Sequence, residues 1–191
     1  MSKYKERTWT SFADLFALAG RQRRVLDFGC GDGWFAQKTR EADYCDELVP
    51  LDVKRRSKVL VDPVIYTGES LPFQDRQFDL SYAIDVLHHC PRPVYYLDEL
   101  ARVSSRFLLL KDHTYDSVWG RATLQILDEL GNRRFGIPSP HNYQRKWGWV
   151  EHLLSRGWVE RARVHPVRCH EGALGVLTNR LQFASLFERS T

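Results

Sequence analysis

Val25-Leu26-Asp27-Phe28-Gly29-Cys30-Gly31-Asp32-Gly33 is an apolar run that ends in a carboxylate and then places glycine at every second position. Glycines leaving the carboxyl end of a buried strand let the backbone turn tightly and come close to a ligand, because a Cβ there would collide. A nucleoside or nucleotide ligand is implied, and spacing separates the possibilities. The phosphate loop of nucleotide triphosphatases needs Gly-x-x-x-x-Gly-Lys-Ser/Thr, which this stretch lacks. The dinucleotide fingerprint needs a third glycine three positions after Gly31, where Trp34 stands, too bulky for close helix-to-strand packing. What remains is Gly-x-Gly-x-Gly preceded by Asp27.

Three further segments extend the pattern. Leu48-Val49-Pro50-Leu51-Asp52 reads as a second buried strand ending in a carboxylate, Gly68-Glu69-Ser70-Leu71-Pro72-Phe73 follows Thr67, and Phe78 to His89 reads as a fourth strand with its outgoing loop. Together these four segments, over roughly residues 25–111, resemble the ordered motifs of the class I S-adenosylmethionine-dependent methyltransferases, in particular the small type 11-like group. The resemblance implies a doubly wound, mostly parallel seven-stranded sheet of Rossmann-like form, with a helical cover after strand five, in a single domain over residues 1–191. It also implies S-adenosylmethionine as cofactor. Gly29, Gly31 and Gly33 would pass beside its methionine and ribose portions, Asp27 would reach the ammonium directly or through water, and Asp52 would accept the ribose hydroxyls. Thr67, Gly68 and Glu69 would lie at the adenine edge, with Asp85 in the same shell. Many relatives carry an aspartate where this chain has Thr67.

Composition agrees with one globular unit. The chain has 191 residues, 43% of them hydrophobic, with six tryptophans, enough for one core and too few residues for two domains of ordinary size. Its longest aliphatic or aromatic run, Phe107 to Leu110, is far short of a membrane span, and Met1 to Arg7 carries no apolar signal-peptide stretch. A cytoplasmic protein is expected. Cys30, Cys45, Cys90 and Cys169 have no Cys-x-x-Cys spacing, so reduced thiols are expected, with neither a disulfide framework nor a zinc site. The net charge of +4 is modest, and basic clusters such as Arg21 to Arg24 and Lys54 to Lys58 read as solvated faces, so nucleic acid is an unlikely partner.

Apolar spacing predicts a helix over Thr8–Ala19 closed by Gly20, strand one over 24–28, a helix over 34–41 and strand two over 47–51. Strand three is expected over 60–66, strand four over 78–84, a helix entered at Pro93, and strand five over 107–111. A helix over 119–130, a turn-rich stretch over 131–140, a helix over 143–155 and strands over 158–167 and 181–187 complete the alternation expected of a doubly wound sheet. Ligands in such sheets bind beyond the carboxyl ends of the strands. Candidates for catalysis are therefore Asp85, His88 and His89 after strand four, and Asp112 and His113 after strand five. His113, backed by Asp112, is the first choice for general base, since imidazole titrates near neutral pH, and His89 the second.

Lys111-Asp112-His113, Asp128-Glu129-Leu130-Gly131-Asn132 and Asn142-Tyr143 are similar to a Lys-Asp-His, Asp-x-x-Gly-Asn and Asn-Tyr pattern in a group of small methyltransferases. They suit either a substrate lid over residues 112–143 or ordinary turns. The expected activity is methyl transfer to the oxygen, nitrogen or carbon of a small molecule. An RNA or protein methyltransferase, and a non-catalytic S-adenosylmethionine-binding regulatory subunit, are the alternatives.

Overall fold

The computed structural model describes residues 3–132 and 140–190. Its sheet runs β3-β2-β1-β4-β5-β8-β7, with β6 added beside the end of β5. The strands are β1 (Gln22–Phe28), β2 (Cys45–Asp52), β3 (Val64–Ile65), β4 (Phe78–Ile84), β5 (Ser104–Tyr115), β6 (Gln144–Arg145), β7 (Trp158–Val164) and β8 (Gln182–Arg189). The pairs from β3 to β5 are parallel, and β8 lies antiparallel between β5 and β7. The chain thus reverses its direction of travel across the sheet between β1 and β4, which opens a crevice at their carboxyl ends.

The central strands are buried on both faces, as their near-continuous apolar sequences require. Alternate residues feed two cores. Val25, Leu80, Tyr82, Phe107 and Leu109 pack under α1 (Lys3–Ala19) and α2 (Trp34–Glu41), while Leu26, Phe28, Leu108 and Leu110 pack under α3 (Pro93–Val103) and α5 (Gly148–Ser155). In α1 the stripe Phe12, Leu15, Phe16 and Ala19 is buried, and Phe12 meets both Phe16 and Tyr82 edge-on at 5.2 and 5.4 Å between centroids, a favoured aromatic geometry. Pro93 opens α3, where its missing N–H has no helical partner to lose. Among the described residues no helix is long and apolar enough to cross a membrane.

Several expectations change. Strand three is confined to Val64–Ile65, so Leu60 to Pro63 is irregular, and Leu60 instead donates its N–H to the carbonyl of Asp32 in the glycine turn. Strand five continues to Tyr115, so Asp112 and His113 lie within it, paired with Phe183 and Gln182 of β8. A lid beginning at residue 112 is therefore excluded for 112–115. Helix α4 (Val118–Asn132) absorbs Gly131 and Asn132, which the turn-rich reading had outside it, and residues 133–139 of the expected lid lie outside the described residues. The helix expected from Tyr143 begins only at Gly148, because Gln144–Arg145 extends beside Thr114–Tyr115 as β6. Helix α6 (Gly172–Thr178) was not foreseen.

Candidate functional site

At the carboxyl end of β1 the chain enters the glycine turn with Gly31 at φ 61° and Gly33 at φ 77°, the left-handed region that suits glycine. A Cβ on Gly31 would meet the Arg56 guanidinium at 2.8 Å, and one on Gly33 would meet backbone atoms of Val61 at 2.8 Å. The close approach at both positions is made by the segment between β2 and β3. Asp52, at the end of β2, accepts the N–H of Gly31 at 2.8 Å through one oxygen and that of Val53 at 2.7 Å through the other. It pins the turn to β2 and keeps lone pairs for further donors. Thr67 and Glu69 are exposed, and Gly68, between them, has φ 85°.

Asp27 is 3% exposed, and its Oδ2 has no hydrogen-bond partner among the described residues. Burial pushes its carboxyl up to about 8, a rise the Tyr82 hydroxyl opposes and the nearby Asp52 and Asp32 assist. A buried carboxylate oxygen without a donor costs free energy that a cationic ligand group would recover.

Asp85, expected at the cofactor edge, has both oxygens engaged on the α1 side. Lys111 Nζ donates to Oδ1 at 2.5 Å, and the Tyr4 hydroxyl donates to Oδ2 at 2.6 Å. Burial is the largest influence and opposes the charge on Asp85, but Lys111 together with His113 and His88 holds the carboxyl below its ordinary range. Lys111 is fully buried and also reaches Gln182 Oε1 at 2.7 Å. One residue on, Lys5 binds Asp32 of the glycine turn at 2.5 Å. The first turn of α1 therefore closes over this edge through Tyr4 and Lys5.

Three histidines converge beside it. His88 Nδ1 lies 2.6 Å from Asp112 Oδ1, and its Nε2 lies 3.6 Å from Asp128 Oδ1 of α4. His113 Nδ1 is 3.1 Å from the same Asp112 oxygen and 3.3 Å from His88 Nδ1. Tyr143 donates to Asp128 Oδ2 at 2.6 Å, and Asn142 Nδ2 donates to the Cys90 carbonyl at 2.9 Å, tying residues 142–143 to both α4 and the loop after β4. Burial lowers the affinity of His88 for a second proton, yet Asp112 and Asp128 prevail and raise its pKa to about 10. Burial and the neighbouring His88 charge lower His113, and the same pair of causes takes His89 down to about 4. One charged imidazole and two neutral ones result.

An ionised carboxylate only accepts, so both Nδ1 atoms facing Asp112 carry protons. Nε2 of His113 is then left with a free lone pair. His89 Nδ1 is buried without a hydrogen-bond partner among the described residues. The possible ligand atoms of His88, Asp112 and His113 lie within 4.8 Å of one another, as do those of His88, His89 and Asp128. Hydrogen bonds and ion pairs account for that proximity in the first group.

Of the sequence candidates, the structure brings Asp112, His113 and His89 together with His88, and sets Asp85 beside them, 3.9 Å from His113 Nδ1. Tyr4 and Gln182 received no site role from the sequence, and Lys111 appeared only within the Lys-Asp-His pattern. Asp128 and Tyr143 were visible only in the Lys-Asp-His, Asp-x-x-Gly-Asn and Asn-Tyr pattern, where they also suited turns.

Residues 26–107 match the family model described as a methyltransferase domain. Over 98 residues the chain is 33% identical to malonyl-[acyl-carrier protein] O-methyltransferase of Erwinia billingiae, an alignment covering 47% of this chain and 38% of that protein. The chain thus aligns with well under half of that curated relative. An S-adenosylmethionine-dependent methyltransferase from Mesorhizobium loti superposes with TM-score 0.69 at 12% identity, covering 96% of this chain and 98% of that one. The N-methyltransferase NodS of Bradyrhizobium japonicum gives 0.62 at 17% identity, covering 99% and 97%. The matched segment is thus that of a methyltransferase domain, and the fold over nearly the whole chain is that of solved S-adenosylmethionine-dependent methyltransferases.

The residues present fit that cofactor on their own chemistry. Asp27 offers an unpartnered buried oxygen to an ammonium, whose positive charge would favour the ionised carboxyl that burial disfavours, and Asp32 and Asp52 lie close by at the same turn.

Proposed function

We propose that the chain, as one domain over residues 1–191, transfers a methyl group from S-adenosylmethionine to an oxygen, nitrogen or carbon of a small molecule. The observation that carries this reading is the orphaned Asp27 oxygen beside the glycine turn on β1, with His113 near the carboxyl end of β5, two strands away in the same sheet. Bound cofactor supplies an electrophilic methyl on a sulfonium. Asp27 would hold its ammonium, Asp52 its ribose hydroxyls, and Gly29, Gly31 and Gly33 the backbone path beside it. Gly68, with Thr67 and Glu69, would border the adenine. Asp85 acts one step back, orienting Lys111 and Tyr4. Methyl transfer is an in-line displacement, so positioning contributes much of the rate, and a protonated acceptor also needs a base. Nε2 of His113 takes that proton, with Asp112 fixing the ring through Nδ1.

The Lys54 to Lys58 cluster lies beside the glycine turn through Arg56, but two other basic clusters lie away from it and favour a small acceptor over RNA. Arg21 and Arg24 lie at the amino end of β1, opposite the glycine turn, and pair with Asp43, Asp46 and Glu47. Arg161 and Arg163 on β7 pair with Glu188 and Glu160. The relative from Erwinia billingiae is named for methylating oxygen on a carrier-bound malonyl group, which supports an oxygen acceptor with an acidic neighbourhood.

The test is S-adenosylhomocysteine release from S-adenosylmethionine in the presence of carboxylic acids, phenols, amines and carrier-bound acids, against an RNA control. One of the small-molecule classes should stimulate release, and His113→Ala should lower that turnover by roughly 10²-fold or more with cofactor affinity unchanged. Stimulation by RNA alone would overturn the small-molecule reading. Full turnover by His113→Ala would move the base elsewhere.

A further inference from the structure

His88 contacts Asp112, Asp128 and His113, yet the proposed methyl transfer assigns it no step. It is 1% exposed, and each ring nitrogen faces a carboxylate, Asp112 on β5 and Asp128 on α4. Asp112 Oδ2 accepts the Leu87 N–H at 3.0 Å, and Asp128 Oδ2 accepts the Tyr143 hydroxyl, so each carboxylate is fixed by a second bond as well. Charging His113 too would set two cations 3.3 Å apart at their Nδ1 atoms. His88, with two carboxylates to His113's one close contact, is the better-placed cation.

We propose that His88 is the positioning residue of the site: bridging Asp112 and Asp128, it holds Asp112 against the ring of His113 and docks helix α4 on the sheet edge where the acceptor enters. This rests on the reading of His113 as base. A histidine flanked by two carboxylates and sealed from water cannot itself exchange protons with an acceptor. Its effect passes through Asp112 to the tautomer of His113. It also reaches the cover, since α4 carries Asp128 and the chain near Tyr143 closes on that helix. The charged and titratable groups facing His88 are Asp112, Asp128, His89, His113 and Tyr143, and those facing His113 are Asp112, Asp85, Lys111, His88 and Tyr143, with Asp128 and His170 close enough to interact. Burial of such a bridge serves geometry more than stability.

Long-range nitrogen-proton correlation spectra of the full chain labelled with 15N-histidine test this, on the wild type, His88→Gln, Asp128→Asn and Tyr143→Phe. At pH 7.5 the wild type should show His88 protonated on both nitrogens and His113 protonated on Nδ1 alone. In Asp128→Asn the His88 titration midpoint should fall by about one pH unit or more, and Tyr143→Phe should move it the same way by less. In His88→Gln the His113 midpoint should rise toward its ordinary range and its single tautomer should be lost. A neutral wild-type His88, an unmoved His88 midpoint in Asp128→Asn, or an unchanged His113 in His88→Gln each overturns the proposal. If His88→Gln fails to fold, Asp128→Asn decides. Calorimetry with S-adenosylhomocysteine on the same wild-type sample separates the two claims, because absent binding would remove the methyltransferase reading while leaving the bridge to be judged by its spectra.

Discussion

Gly33→Val should abolish measurable binding of S-adenosylhomocysteine, whereas Gly31→Ala should weaken it only moderately. Both positions hold left-handed backbone, and a side chain there costs about 1–2 kcal/mol in conformation alone. They differ in what the new atom meets. At Gly31 it meets the far end of the Arg56 side chain, which can swing aside. At Gly33 it meets the backbone of Val61 at 2.8 Å, and a branched residue must displace the whole segment between β2 and β3, breaking the Leu60 to Asp32 bond that seats it. That segment leads out of Asp52, so the turn and the ribose acceptor would be disturbed together. The expected loss is about 100-fold or more in affinity for Gly33→Val, or at least roughly 2.7 kcal/mol, and about 10-fold for Gly31→Ala. Calorimetry checks it, with circular dichroism confirming an assembled sheet. Equal affinities for both variants and the wild type would show that the turn does not hold the cofactor.

Asp112→Asn should destabilise the protein by about 3–5 kcal/mol near pH 6.5, the typical cost of removing one partner from a buried ion pair. The substitution keeps the shape of the side chain and removes its charge, leaving His88 with the more distant Asp128 alone. The pH dependence has a definite sign. The pKa of His88 is raised from 6.5 to about 10 in the folded state, so its stabilisation is fully present below 6.5 and disappears as pH rises through 10. Asp112 is held well below 3.8 and Asp128 at about 2, burial opposing and His88 prevailing in each, so their contribution is present above 3.8 and lost as pH falls through their folded values. Urea unfolding of wild type and variant should therefore differ most between about pH 4 and 6.5 and converge toward pH 10. A difference below about 0.5 kcal/mol at pH 6.5 would contradict a charged His88.

Strand β4 and the glycine turn were legible because their signals are local: continuous apolar residues for a strand buried on both faces, and glycine spacing for the turn. The first turn of α1 was not. Lys3 to Arg7 has no apolar period, and its helical state depends on Tyr4 and Lys5 reaching Asp85, Lys111 and Asp32, partners 27 to 107 positions away in sequence. Strand β5 reads as ending at Lys111 because a charged run ordinarily leaves a sheet. It continues because Lys111, Asp112 and His113 each find a buried polar partner, and register with β8 carries the backbone onward. Helix α6 was hidden by its two glycines, Gly172 and Gly175, which lower helix propensity. Leu60 to Tyr66 has a strand's composition, yet only two of its residues pair. At the site, the residue types and the sheet edge were readable. The ranking among histidines was not, since it depends on which ring lies between two carboxylates.

A crystal structure of the chain with S-adenosylhomocysteine tests the central claim most directly. The ligand's amino group should lie within hydrogen-bond distance of Asp27, its ribose hydroxyls at Asp52, and its sulfur on the side facing His113. A ligand bound away from the carboxyl ends of β1 and β2, or a sulfur directed away from His113, would contradict the account.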